Sequence, residues 1–223
     1  AVVEGRAMWA SVRDAVSILI GGNLGEIGFT LGAGLVDGRP PLNARQLLLV
    51  NLLTDVAPAM AIALRPPTSA TMKSLAQEGP DVSLGKALNR DIASRAIVTT
   101  LGASTAWVIG RFTGTRAKAN TIGLLALVGS QLGQTMASGR YSRPVMVTSI
   151  TSAALLATIV QTPGLSHFFG CRPIGPIGWA TAVGASSAAT YAAIRFPALV
   201  NEVMRRTKLD TPVLVDDPEA LPE

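Results

Sequence analysis

The chain has 223 residues, of which 48% are hydrophobic and only 15% charged, and its formal net charge is +5. Soluble domains carry about 25% charged residues, so this balance excludes an ordinary soluble domain and reads as a membrane protein. One cysteine, Cys171, and one histidine, His167, exclude a disulfide framework and a Cys/His zinc cluster within this chain.

The first residues, "AVVEGRAMW", lack the order of charged, apolar and small-residue segments that marks a signal peptide. With no initiating methionine, a fragment of a longer chain is the expectation. A spanning helix needs about 20 mainly apolar residues, and six runs qualify: residues 15–36, 42–64, 92–109, 122–137, 145–162 and 177–194. The fourth run is the shortest and most polar. Between them lie Pro- and Gly-rich breakers, "DGRPP", "RPPTS", "GRFTGTRAK", "SGRYSRP" and "FGCRPIGP". The expected fold is therefore all-α, a polytopic membrane helix bundle with six transmembrane helices. Residues 1–14 lead in as a stalk, 15–195 form the membrane domain with a polar loop at 65–90, and 196–223 form an acidic-ended tail.

An even helix count puts both termini on one side. Arg39, Arg45, Arg111, Arg116, Lys118 and Arg172 fall on the other side, and the remaining basic residues share the side of the termini. The positive-inside rule makes that richer side cytoplasmic. Because the basic residues flank apolar runs, the positive charge is topological, and no nucleic-acid partner is expected. The 19 basic residues comprise 15 Arg and 4 Lys, in a chain rich in Ala and Gly, which leans towards a bacterial plasma membrane.

Two carboxylates, Glu26 and Asp55, fall deep within the apolar runs. A carboxylate at mid-bilayer costs a few kcal/mol at least, so it marks a functional site by default. In "GGNLGEIGF", Asn23 and Glu26 are spaced i, i+3 and share one face of the first helix. In "NLLTDVAP", Asn51, Thr54 and Asp55 are spaced i, i+3, i+4 and share one face of the second. Pro58 has no N–H, so the carbonyl of Thr54 loses its helical partner. In a membrane such a carbonyl must be satisfied by something else, and a dehydrated cation would do so. Gly21, Gly22, Gly25 and Gly28 let another backbone come close to Glu26.

The fourth helix, "GSQLGQTMAS", adds the amides of Gln131 and Gln134. Oxygen ligands with about two negative charges suit one divalent ion of the calcium, magnesium or manganese type, or an alkali ion, better than copper or zinc. The alternative for polar residues in membrane helices is interhelical hydrogen bonding. It is the expectation for Thr30, Thr99, Thr100, Thr148 and Thr151 that they bond back to their own helices. Trp9, Trp107 and Trp179 suit interfacial anchoring, and His167 and Cys171 have no assigned role.

The stretches "EGRAMWASVRDAVSILIGGNLGE" and "PLNARQLLLVNLLTDVAPAMAIALRPP" resemble the C-terminal transmembrane part of P-type cation-transporting ATPases, in the group that includes the calcium pumps. The resemblance rests on N-x-G-E and N-L-x-T-D-x-x-P one hairpin apart, with a "QLLLV" lead-in, and is close from Glu4 to Pro67. It implies that the six helices are the fifth to tenth of the family's ten. It implies ion ligands at Asn23, Glu26, Asn51, Thr54 and Asp55, with Gln131 where the two-ion calcium pumps carry an acid. It further implies ATP and magnesium acting through upstream phosphorylation, nucleotide-binding and actuator domains of the same chain, with the transported cation and the lipid bilayer as this segment's own partners. No ATPase activity is expected of the fragment alone. A free-standing carrier or channel and a catalytically silent membrane anchor are the rival readings.

Overall fold

The computed structural model describes residues 2–63, 86–139 and 142–209, with side chains over 11–63, 88–139 and 142–195. The loop expected at 65–90 falls outside these residues except for its last few, and so does the end of the tail. Helix α1 spans Val2–Asp37. The second membrane crossing has three parts, α2 (Ala44–Asn51), a π-helical turn (Leu52–Val56) and α3 (Ala57–Ala63). There follow α4 (Lys86–Thr113), α5 (Arg116–Ser138), α6 (Arg143–Gln161), a short α7 (Pro163–Phe169) and α8 (Pro176–Leu209). Each of the six expected runs falls within a helical element, and the chain is an all-α membrane bundle with no strand among the described residues.

Helix ends follow local chemistry. Asn43 caps α2, accepting from the Gln46 N–H at 3.0 Å while the Gln46 side chain accepts from the Asn43 N–H at 3.0 Å, a capping box that satisfies two end donors at once. Thr115 caps α5. Gly170 ends α7 at φ +72°, a left-handed position that a side chain would strain. α1 and α8 extend well past their apolar runs at their N- and C-terminal ends, respectively, because helix propensity continues where hydropathy stops.

α5 is the hub. It packs against α4 and α8 most extensively, and also against α6 and α1. Four elements are long and apolar enough to cross a bilayer by composition, Ser11–Asp37, Ala44–Ala63, Leu88–Thr113 and Arg143–Gln161. α5 and α8 are not among them; in α5 the polar residues that lower its hydropathy are covered by neighbouring helices rather than lipid. α5 buries Ser130, Gln131, Gln134 and Thr135 together with Leu124, Leu127 and Val128. The lipid-type surface lies elsewhere, as on α1, where Ile20, Leu24, Ile27, Leu31 and Leu35 are exposed along one stripe.

Two expectations change. Trp107 is 3% exposed and donates to Asn120 Oδ1 at 2.9 Å, so it is a core residue whose N–H has found a partner rather than an interfacial anchor. Arg111 near the end of α4 and Arg116 at the start of α5, both on the side opposite the termini in the charge count, pair with Asp37 at the end of α1, at 3.2 and 2.7 Å. Their charge is thus partly neutralised locally.

Candidate cation-binding site

Glycine brings α1 against α4. A Cβ on Gly25 would lie 2.8 Å from Thr99 Cβ and Cγ2, and one on Gly28 would lie 2.5 Å from Thr100 Oγ1. The hydroxyl of Thr100 donates to the Gly25 carbonyl at 3.1 Å. Thr99 accepts from Gln134 Nε2 at 2.9 Å. Both threonines therefore bond across helices, correcting the expectation that they bond back along their own; Thr148 does bond back, to Pro144.

This close seam carries Glu26 into the interior. The residue is 7% exposed, and its Oε2 has no hydrogen-bond partner. One turn on, Thr30 Oγ1 is likewise buried and unpartnered. Buried polar atoms are nearly always paired, and an unpaired buried carboxylate oxygen is the costliest exception. These oxygens fit a group that supplies positive charge.

Asp55 lies opposite, inside the π-helical turn. The wider turn, with Pro58 two residues past it, interrupts the regular ladder where the carboxylate projects. Thr54 is 3% exposed, and its hydroxyl is directed to Val50 O at 3.0 Å and Asp55 Oδ1 at 2.9 Å. Asp55 also accepts from the side chain of Asn23, and its charge acts on Glu26. Asn23 and Asn51 are exposed on the surface of the described bundle.

Gln131 comes in from α5, 5% exposed, and donates to the Gly22 carbonyl at 3.1 Å. A cavity of about 10 Å³ lies between α1, the second crossing, α4 and α5, lined by Gly22, Thr54, Asp55, Arg95, Thr99, Gln131 and Gln134 among others. That is about the space of one water. The geometry thus gathers Asn23, Glu26, Thr54, Asp55 and Gln131. Asn51 lies one turn before Asp55 and is exposed, and no side-chain hydrogen bond among the described residues joins it to the rest. Gln134, expected beside Gln131, joins this site, and so do Thr99 and Arg95, which the sequence alone does not place there. Gln134 had a signal, its i, i+3 spacing from Gln131, whereas Thr99 and Arg95 depend on which helix packs beside α1.

Among the described residues no group of three or more His, Cys, Asp and Glu side chains forms a metal cluster. Any cation held here must combine a carboxylate pair with amide, hydroxyl and main-chain oxygens, a hard-ion donor set.

Residues 39–196 match the family model described as cation transporting ATPase, C-terminus. Asn51, Thr54, Asp55 and Gln131 lie inside that match, and Asn23 and Glu26 precede it. The chain is 44% identical over 229 residues to "Probable cation-transporting ATPase I" of Mycobacterium leprae, an alignment covering 94% of this chain and 14% of that protein. It is 46% identical over 209 residues to the protein of the same name from Mycobacterium tuberculosis (strain CDC 1551), covering 85% of this chain and 13% of that one. It is 29% identical over 203 residues to "Calcium-transporting ATPase" of Bacillus subtilis, covering 86% of this chain and 23% of the relative. The chain therefore spans less than a quarter of the length of each of these relatives.

Proposed function

Because the chain belongs to the cation-transporting ATPase family, we propose that it is the membrane domain of an ATP-driven pump and that its interior cage holds the transported ion. The cage consists of Glu26 and Asp55 with the oxygens of Asn23, Asn51, Thr54 and Gln131. The observation that carries this reading is the buried Glu26 carboxylate with an unpartnered oxygen, facing Asp55 at the one place where the second crossing leaves α-helical geometry.

Two carboxylates surrounded by neutral oxygens match one hard divalent cation of the calcium, magnesium or manganese class. Asn23 and Asn51 are exposed on the surface of the described bundle, which suits a further ion-binding helix supplied by the rest of the pump. In the full-length protein, ATP and magnesium act at upstream domains. Residues 1–14 serve as the stalk that carries their motion along α1 to Glu26, and the loop 65–90 serves as a docking point. Once the ion has left, the buried Glu26 and half-buried Asp55 carboxylates remain together without it, and uptake of protons is the neutralisation open to them. The distribution of basic residues supports cytoplasmic termini, residues 196–223 included, in a bacterial plasma membrane.

The test uses the full-length pump in membranes. Asp55→Asn is expected to abolish ion-dependent phosphorylation by ATP, whereas Asp37→Asn, at the far end of α1, retains it. Ion-dependent phosphorylation that survives in Asp55→Asn would refute the site.

A further inference from the structure

A second cavity adjoins the cage. It holds about 230 Å³ between α4, α5 and α8, and is lined by Asp91, Ser94, Arg95, Gln134, Ser138 and Ile194 among others. Water takes about 30 Å³ per molecule, so this vestibule has room for several. Ser94, one of its lining residues, has a buried Oγ without a hydrogen-bond partner.

The two cavities share two residues, Arg95 and Gln134. Arg95 packs its stem on α1, where a Cβ on Gly21 would lie 2.8 Å from Arg95 Cβ and 3.3 Å from Cδ. Its Nη2 donates to Ser138 Oγ at 2.6 Å. Ser138 is one helical turn beyond Gln134, on the vestibule side, so the guanidinium stands between vestibule and cage. Asp14 and Asp91 exert their charge on it from the earlier turns of α1 and α4. An arginine keeps its charge in any protein setting. Among the lining residues of either cavity it supplies the positive charge.

We propose that Arg95 sets how much positive charge the cage takes up: it is a tethered cation between cage and vestibule that holds the site to a single divalent ion and closes the vestibule side to metal. The residue touches no ligand itself. It acts by occupying, with a fixed charge, the flank where a second ion would sit. Gln131, an uncharged amide from α5, agrees with that role, since it adds a donor set without adding the negative charge a second ion would need. The inference rests on the cage proposed above.

The experiment measures radiolabelled calcium and, separately, manganese bound per phosphorylatable site in the purified full-length pump. Three forms are compared: unmodified, Arg95→Gln and Arg95→Lys. The expected result is a single ion per site in the unmodified and Arg95→Lys proteins. In Arg95→Gln, a second ion or an affinity raised by about a hundredfold is expected, the scale of one unit charge removed at roughly 10 Å from a divalent ion in a protein interior. The Gln variant keeps a donor for Ser138, so loss of folding is not the readout, and the Lys variant separates charge from shape. Equal stoichiometry and affinity in all three forms would overturn the role of Arg95 and leave the cage standing. Ion binding undiminished in Asp55→Asn, measured alongside, would overturn the cage and this inference with it.

Discussion

Replacing Gly25 by alanine tests the seam on which the cage depends. The added Cβ would meet Thr99 Cβ and Cγ2 at 2.8 Å and the Ala96 carbonyl at 3.3 Å. Carbon atoms pack at about 3.5 Å or more, so α1 and α4 must part by about 0.7 Å there. Thr99 Cβ is fixed by its own backbone and offers no rotamer to relieve the contact. Overpacking of this kind costs about 1–3 kcal/mol. The displacement matters more than the cost, because Glu26 is the next residue on α1 and Thr99 is the acceptor for Gln134. Ion cages tolerate about 0.2 Å in their ligand distances, so the variant should lose about tenfold or more in apparent cation affinity. The assay is cation-activated phosphorylation of the full-length pump in membranes, with thermal inactivation as the stability readout. Gly32→Ala is the control, since a Cβ there meets nothing within 4 Å, and trading Gly for Ala in a helix is neutral or stabilising by up to about 1 kcal/mol. If the two variants behave alike, close packing of α1 on α4 does not position the cage.

Two further outcomes are expected. Asp37→Asn removes both ion pairs to Arg111 and Arg116, whose side chains are 35% and 44% exposed; solvent screening limits the loss to under about 1 kcal/mol per pair. Thermal inactivation should come slightly earlier, with the difference shrinking in high salt, and a salt-independent difference would contradict the assignment. Burial holds the Cys171 thiol above its ordinary pKa, against a smaller opposing effect of the Gln46 hydrogen bond. Its reactive thiolate is therefore scarcer at neutral pH than that of a free cysteine and grows only at more alkaline pH. Maleimide labelling of the Cys171 peptide, followed by mass spectrometry, should be slow in the folded protein and fast after denaturation.

What can be read from the sequence divides along physical lines. The helices are legible because the apolar runs that lipid or protein must cover are local in the chain, and the Pro- and Gly-rich breakers are too. Glu26 and Asp55 are legible because a carboxylate in such a run is too costly to keep unless a site needs it, and the spacing of Asn23, Asn51 and Thr54 places them on shared faces. The partners of Thr99 and Thr100 are not legible, because a threonine's choice between its own helix and a neighbour depends on how near the neighbour is. Trp107 escapes for a similar reason, since the ring suits an interface or a core, and only Asn120 decides between them. Arg95 reads as one of the charges at the start of the third run, on the side of the termini, because hydropathy cannot distinguish an arginine that ends a span from one that points into the bundle. The π-helical turn has a partial signal in Pro58, which predicts a lost bond but not how the ladder rearranges around it.

The outer end of the second crossing is held firmly. Asn43 Nδ2 donates to Phe169 O at 3.0 Å, Arg45 to Phe168 O at 2.7 Å, and the Gln46 amide reaches Gly170 O and Cys171 Sγ, both at 3.4 Å. The Arg45 guanidinium also lies 4.7 Å over the Phe168 ring. Mechanically, the crossing is a beam clamped at one end and notched in the middle, the notch being Leu52–Val56. α3 packs against α1 and α6, so a load carried by those helices enters the crossing at its α3 end and bends it at the notch. Asp55 and Thr54 sit in the notch itself, so a small tilt of the inner half swings their oxygens while Asn43 to Val50 stays docked. The compliance of the whole crossing is thereby concentrated on the residues whose distances matter most.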